Sequence, residues 1–210
     1  DLSKRLVDLA NDRILHNGRF TVVLAGGETP RTLYRELCSA KTDWSRWHVF
    51  FSDERCLPGG HAQRNDEMVK QSLLDHVAVP GGQVHHLPSS FSTEALLSCQ
   101  QTLDRVGLFD LVLLGLGEDG HTAGLFPGHP LSGEKLTPDL VCVEDAPKPP
   151  PRRISLSAER LAQTRALWFL VVGEDKRKAL AAFRRGEAIP ANALKPKCGI
   201  EVFLDRLADS

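Results

Sequence analysis

The stretch LVLLGLGEDGHTAGLFPGHP, residues 111–130, sets an apolar run directly against a glycine-spaced Glu-Asp-Gly-His. Residues 111–114 read as a buried strand, because a short continuous apolar run bounded by turn residues has no polar face to offer water. The segment after residue 114 is richer than a turn requires. Glycines stand at 115, 117, 120, 124 and 128, with Glu118, Asp119 and His121 among them. Glycine lets backbone come close to a neighbour or a ligand. A histidine in such a loop can act as a general base near neutral pH, and a nearby carboxylate can orient it. The plainer alternative is a histidine that only satisfies a turn. The glycine density and the position at a strand end favour a functional loop carried on a rigid scaffold.

The same pattern recurs on either side. Leu2, Leu6, Leu9, Ala10 and Ile14 share one face at helical spacing, so the chain opens with an amphipathic helix. Residues 20–24 form a second buried strand, followed by AGGETP, in which Thr29 and Pro30 predict the N-cap and first position of a helix to about residue 37. WHVFF (47–51) is a strand ending in Ser52-Asp53-Glu54-Arg55. Helices are predicted over 65–74, 93–106, 158–164 and 175–185, and further strands over 84–87, 154–156, 166–172 and 200–204. Asp66 and Glu67 fall in the first turn of the 65–74 helix, where the helix dipole favours them. APKPPPRR (146–153) is stiffened by proline and cannot be helix; it reads as a loop laid over the sheet. Apolar strands alternating with helices predict an α/β fold: a mostly parallel, Rossmann-like sheet with helices on both faces, in a single domain over residues 1–210.

The totals agree with this class. Of 210 residues, 41% are apolar and 25% charged, with a net charge of −1. That balance excludes bulk nucleic-acid binding and attraction to an anionic membrane, while leaving room for a local basic pocket. No run of about 18 apolar residues exists, and no signal peptide is expected. Five cysteines are scattered without a CxxC pair, which predicts reduced thiols and a cytoplasmic protein.

Ligands bind parallel sheets outside the carboxyl ends of their strands. Four such ends here carry polar residues: Gly26-Gly27-Glu28-Thr29, Asp53-Glu54-Arg55, Asp119 with His121, and Gly173 through Lys176. One would be ordinary; four predict a single pocket. The Gly26-Gly27 turn opening a helix suits an anion such as phosphate, although it is neither a Walker loop nor a GxGxxG turn. Taken alone, Asp53 and Arg55 read better as a surface ion pair, and Lys148, Arg152, Arg153 and Lys176 as solvated charges. His61, His85, His86 and His129 have no zinc-ligand spacing, so no metal is expected. A G-x-S-x-G elbow is absent and nothing marks Cys56 as an activated thiol, which leaves covalent catalysis without support.

Together these motifs resemble the 6-phosphogluconolactonase family, within the glucosamine-6-phosphate isomerase superfamily. The resemblance runs in order through LAGGETP, FFSDERCLP, RNDEM, FDLVLLGLGEDGHTAGLFPG, PKPPPRRISLS, VVGEDKRKAL and EVFLD. The GEDGHTA-LFPG stretch is its specific part. It implies hydrolysis of 6-phospho-D-glucono-1,5-lactone to 6-phospho-D-gluconate in the oxidative pentose phosphate pathway. His121 is then the general base on water, with Asp119 beside it and Asp53 in the catalytic group. Gly26, Gly27, Thr29, Arg55, Arg153 and Lys176 match the sugar-phosphate pocket. A monomer acting on a small sugar-phosphate lactone, with no cofactor, is implied. Two stretches depart from the family's pattern: Ala25 stands where serine is usual, and QRN (63–65) where Asp-Ser-Asn is common, Asn65 being kept. One competing reading is an aminosugar-phosphate deaminase/isomerase, which shares the Asp-Gly-His core; the PKPPPRR segment argues against it. Another is a sugar-phosphate-sensing regulator domain, for which the intact motif residues and the short segment before residue 20 are a poor match.

Overall fold

In the computed structural model, which describes residues 2–209, helix α1 (Leu2–Asn17) leads into strand β1 (Phe20–Leu24). Leu6 and Ala10, one helical turn apart, are fully buried, and Leu2, Leu9 and Ile14 pack at the margin of the core, as their spacing predicts. The chain continues through α2 (Glu28–Leu37), β2 (Trp47–Phe51), β3 (Asp53–Arg55), α3 (Asn65–Ser72), a two-residue β4 (Val84–His85), α4 (Thr93–Asp104) and β5 (Leu111–Gly115). Next come β6 (Leu140–Val143), β7 (Arg153–Leu156), α5 (Ala158–Ala162), β8 (Leu167–Val171), α6 (Arg177–Arg184), α7 (Pro190–Ala193), β9 (Glu201–Leu204) and α8 (Arg206–Asp209).

Six strands form one sheet in the order β4-β2-β1-β5-β8-β9, and every pairing in it is parallel. All five residues of β1 and all five of β8 are buried. Successive strand side chains point to opposite faces, so both faces of this sheet are covered. From β1 the order runs to β2 and β4 on one side, then to β5, β8 and β9 on the other. The reversal lies between β1 and β5, and a crevice opens outside their carboxyl ends at such a point.

A second, three-stranded antiparallel sheet, β3-β7-β6, departs from the sequence reading. Asp53–Arg55 is a strand of its own instead of the tail of β2, and Arg153–Leu156 pairs with it instead of joining the parallel sheet. Buried Ser52 is the junction. Its N–H continues the parallel ladder to Leu24 O (2.9 Å), and its carbonyl accepts from Leu156 N (2.8 Å). Strand β6 has no counterpart in the sequence reading; Leu140, Val141 and Val143 are buried while Cys142 points out. Several helix ends also shift: α4 and α5 stop two residues early, and α3 ends at Ser72, with a 3-10 turn over Leu74–His76. The predicted 175–185 helix becomes a 3-10 turn over Glu174–Lys176 followed by α6.

Candidate active site

A cavity of about 510 Å³ opens at the β1–β5 switch point and collects residues from all four predicted strand ends. Gly26, Gly27 and Thr29 line it from the β1–α2 turn, Asp53 and Arg55 from β3, His121 from the loop after β5, Arg153 from β7, and Lys176 from the turn after β8. Asp119 reaches it through His121.

The β1–α2 turn differs from the sequence reading in one respect. The N-cap of α2 is Gly27 (φ 110°, ψ 170°), and Thr29 and Pro30 lie inside the first turn. That backbone conformation is open to glycine, so the chain enters the helix two residues sooner than a Thr cap would allow. Proline is tolerated there because first-turn N–H groups have no intrahelical partner. The helix N-terminus thus faces the cavity with free backbone donors and a partial positive charge. The buried Tyr34 hydroxyl donates to Ala25 O (2.8 Å) and holds the start of the turn.

The loop after β5 is built around one contact. His121 Nδ1 lies 2.5 Å from Asp119 Oδ1, which also accepts the His121 backbone N–H at 3.1 Å. A carboxylate can only accept, so Nδ1 carries the proton and neutral His121 presents an unprotonated Nε2. Burial would raise the Asp119 pKa, but the hydrogen bonds from His121 outweigh it and hold the carboxyl below its usual range. The loop closes through Gly117 N to His121 O (2.8 Å) and Thr122 Oγ1 to Gly115 O (2.9 Å). Gly117 is required where it stands, since a methyl group built there would run into the His121 ring. Phe126 packs on that ring with centroids 4.9 Å apart.

The basic side is assembled by the second sheet. Arg55 and Arg153 are register partners across the β3–β7 pair. Arg153, 6% exposed, donates to the carbonyls of Lys148 (3.1 Å) and Pro150 (3.3 Å) and lies 3.7 Å from Asp53 Oδ2. Arg55 donates to Gln63 O (2.5 Å), while its buried Nε has no hydrogen-bond partner among the described residues. Lys176 Nζ sits 2.9 Å from Asp175 and 3.8 Å from Glu118, and Lys148 Nζ is 3.6 Å from Glu118.

Similarity to known proteins decides the family. The family model described as glucosamine-6-phosphate isomerases/6-phosphogluconolactonase matches residues 1–203. The chain belongs to this family. It is 33% identical over 230 residues to chloroplastic 6-phosphogluconolactonase 3 of Arabidopsis thaliana, covering 100% of this chain and 70% of the relative. It is 37% identical over 194 residues to 6-phosphogluconolactonase of Mycobacterium tuberculosis, covering 85% and 78%. The crystal structure of 6-phosphogluconolactonase from Thermotoga maritima superposes with a TM-score of 0.89 at 26% identity, covering 97% of this chain and 93% of that one.

In this member of the isomerase/lactonase family, Gly26, Gly27, Thr29, Asp53, Arg55, His121, Arg153 and Lys176 line one cavity, with Asp119 beside it. Arg152 does not: its guanidinium lies over the Phe91 ring, 4.5 Å from the centroid. Cys56 does not line it, and burial pushes its thiol up to about 11. Sequence reasoning passed over the roles of Phe126, which touches both His121 and Arg153, and of Asn65, whose side chain lines the cavity. The signals for Asn65 were its place at the start of a predicted helix and its being kept in QRN where the family has Asp-Ser-Asn. Among the described residues, no three of His, Cys, Asp and Glu are grouped to hold a metal ion, and no helix is long and apolar enough to cross a membrane.

Proposed function

We propose that this chain hydrolyses 6-phospho-D-glucono-1,5-lactone to 6-phospho-D-gluconate, with His121 as the general base. The observation that carries the reading is the 2.5 Å Asp119–His121 contact at one side of a cavity whose other walls hold Arg55, Arg153 and Lys176. A δ-lactone is an activated ester, so water needs a positioned base and neither a covalent nucleophile nor a metal.

In this mechanism Nε2 of His121 takes a proton from water as the water oxygen bonds to C1. The carbonyl π electrons move onto oxygen, giving a tetrahedral anion. When the carbonyl re-forms, the C1–ring oxygen bond breaks and the imidazolium returns its proton to the leaving oxygen. Asp119 keeps the ring in the required tautomer and stabilises the imidazolium. A base so placed contributes roughly 10²–10⁴-fold. The phosphate is held by the backbone N–H groups of the Gly26, Gly27 and Thr29 turn and by Arg55, Arg153 and Lys176. Arg can grip it in two places and Lys acts as a point charge. Asp53 orients Arg153 and offers its carboxylate to a sugar hydroxyl. Phosphate binding far from C1 then holds C1 against the base.

The relatives' names support the lactone as substrate, and the reading extends to a single-domain, monomeric enzyme acting in the cytoplasm. The test is acid release from freshly generated 6-phosphogluconolactone, corrected for spontaneous hydrolysis, in wild type and His121→Asn. The expected result is catalysed release by the wild type, with kcat lowered about 10²-fold or more in the variant and phosphate-sugar binding nearly intact. A variant with near-wild-type kcat would remove His121 from the role. Ammonia release from glucosamine 6-phosphate, without lactone hydrolysis, would assign the deaminase activity instead.

A further inference from the structure

Glu54 is the most deeply buried acid beside the site and has no part in the chemistry above. It is 0% exposed, on β3 between Asp53 and Arg55. Its Oε1 accepts the N–H groups of Arg55 (2.7 Å) and Asn65 (2.8 Å), and its Oε2 accepts that of Asp66 (2.8 Å). Two of these belong to the first turn of α3, whose own N-cap residue, Arg64, makes no side-chain cap. Glu54 therefore caps α3 from a different strand, and the arrangement also suits the helix dipole. Arg64, 3% exposed, lies 3.6 Å from Glu54 Oε2 and grips Asp66 with two hydrogen bonds of 2.8 and 2.6 Å.

The residue so fixed is Asn65. Its Nδ2 donates to Asp53 O (2.9 Å) and to Asp53 Oδ1 (3.2 Å), and Ser52 Oγ also donates to that Oδ1 (3.1 Å). The other carboxylate oxygen of Asp53 is thereby left facing Arg153. On its opposite side, Asn65 Oδ1 abuts Gly26, where a Cβ would overlap it. One 2% exposed amide thus touches both the acidic residue of β3 and the glycine turn of β1.

We propose that Asn65 is a positioning residue: it holds the Asp53 carboxylate in place against Arg153 and sets the spacing of the Gly26 turn, with Glu54 anchoring Asn65 from beneath. Asn65 acts through Asp53, so its value for turnover rests on the pocket assignment above. Its effect on Asp53 does not. Burial pushes Glu54 up to about 7, against the pull of its N–H donors and Arg64, so the anchor is a strained acid, not a free surface charge.

The experiment compares Asn65→Ala with Asn65→Asp. Alanine removes the donor at every pH, and kcat/KM for the phosphorylated lactone should fall about 10-fold or more. Asn65→Asp keeps the shape but sets a second carboxylate beside Asp53. Like charges that close cannot both remain ionised without cost, so the pair should share a proton. That proton restores a donor between the two side chains. The activity of this variant relative to Asn65→Ala should therefore rise as pH falls from 8 to 5, a comparison in which the titration of Glu54 is common to both. The charged groups facing the pair are Glu54, Arg55, Arg64, Asp66 and Arg153, all unchanged by the substitution.

Glu54→Gln puts an N–H donor against the Asp66 or Asn65 N–H. It should lower kcat/KM, and combining it with Asn65→Ala should cost no more than the worse single change. If Glu54→Gln does not fold, the two Asn65 variants decide the matter alone. Asn65→Ala within twofold of wild type, or an Asn65→Asp activity relative to Asn65→Ala that is flat with pH, overturns the proposal. Should the wild type show no lactonase activity, the functional reading fails. Positioning is then read by NMR, where the carboxyl pair that Asn65→Asp forms with Asp53 must hold a shared proton above the ordinary carboxylate range; no shared proton rejects it.

Discussion

Arg55 and Arg153 stand opposite one another as cross-strand partners, both facing the cavity. Like charges directly opposite on neighbouring strands destabilise a sheet, and here Asp53, 3.7 Å from Arg153, offsets them in part. A phosphate dianion between them would relieve that repulsion. Arg55→Ala and Arg153→Ala should each lower kcat/KM for the phosphorylated lactone by roughly 10- to 150-fold, the equivalent of ~1.5–3 kcal/mol for a hydrogen bond to a charged group. Unphosphorylated gluconolactone should lose far less. Folding damage would hurt both substrates alike, so equal losses would show that these arginines do not read the phosphate.

Gly117 gives a steric test of the base. Its Cβ position is occupied by the His121 ring, so Gly117→Ala must move either the loop or the imidazole. A displaced base is nearly as damaging as a missing one, and kcat should fall on the order of 10²-fold, by the same account as loss of the base. Gly18→Ala is the control. Gly18 has a positive φ, 74°, and nothing lies within 4 Å of its Cβ position. That variant should lose about 1–2 kcal/mol of stability from the left-handed backbone and keep its kcat. Steady-state kinetics and urea unfolding on the two variants separate the effects.

Asp119 provides a pH-dependent signature in stability. Its folded pKa is held below the unfolded value, so its stabilising contribution is present above the unfolded carboxylate pKa, about 3.9, and is lost as pH falls through the folded value. Asp119→Asn should therefore have a lower urea midpoint than wild type at pH 6, and the gap should close as pH drops below about 4. A gap that persists unchanged at pH 3 would assign the loss to packing and not to the carboxylate.

The parallel half of the fold was legible because its strands are continuous apolar runs, and such runs occur where both faces are covered. The second sheet was not. DER and RISL carry buried charged and polar residues, Asp53, Glu54, Arg153 and Ser155, which interrupt any apolar pattern. These side chains are buried because they pair with one another or with backbone, and much of that pairing is long-range. For the same reason the positions of His121 and the Gly26 turn could be read locally, while the apposition of Arg55 with Arg153 and the place of Asn65 could not. The α2 start was misread for a different cause: Thr-Pro is a good helix opening, but the φ available only to Gly27 came first.

Cys56 tests the absence of a covalent step. It follows Asp53-Glu54-Arg55 directly in sequence, close enough to invite a thiolate mechanism. Burial pushes its thiol up to about 11, and the Arg152 charge only partly opposes this. At neutral pH the thiol is therefore protonated, and the thiolate is the reactive form. Cys56→Ser should retain lactone hydrolysis, since the change is near-isosteric and Cys56 does not line the cavity. Iodoacetamide should leave activity intact at pH 7, even while it labels the exposed Cys142 and Cys198. Mass spectrometry of the labelled protein identifies which thiols reacted. Loss of hydrolysis in Cys56→Ser, together with wild-type inactivation that tracks alkylation of Cys56, would mean that the thiol and not water activated by His121 is the nucleophile.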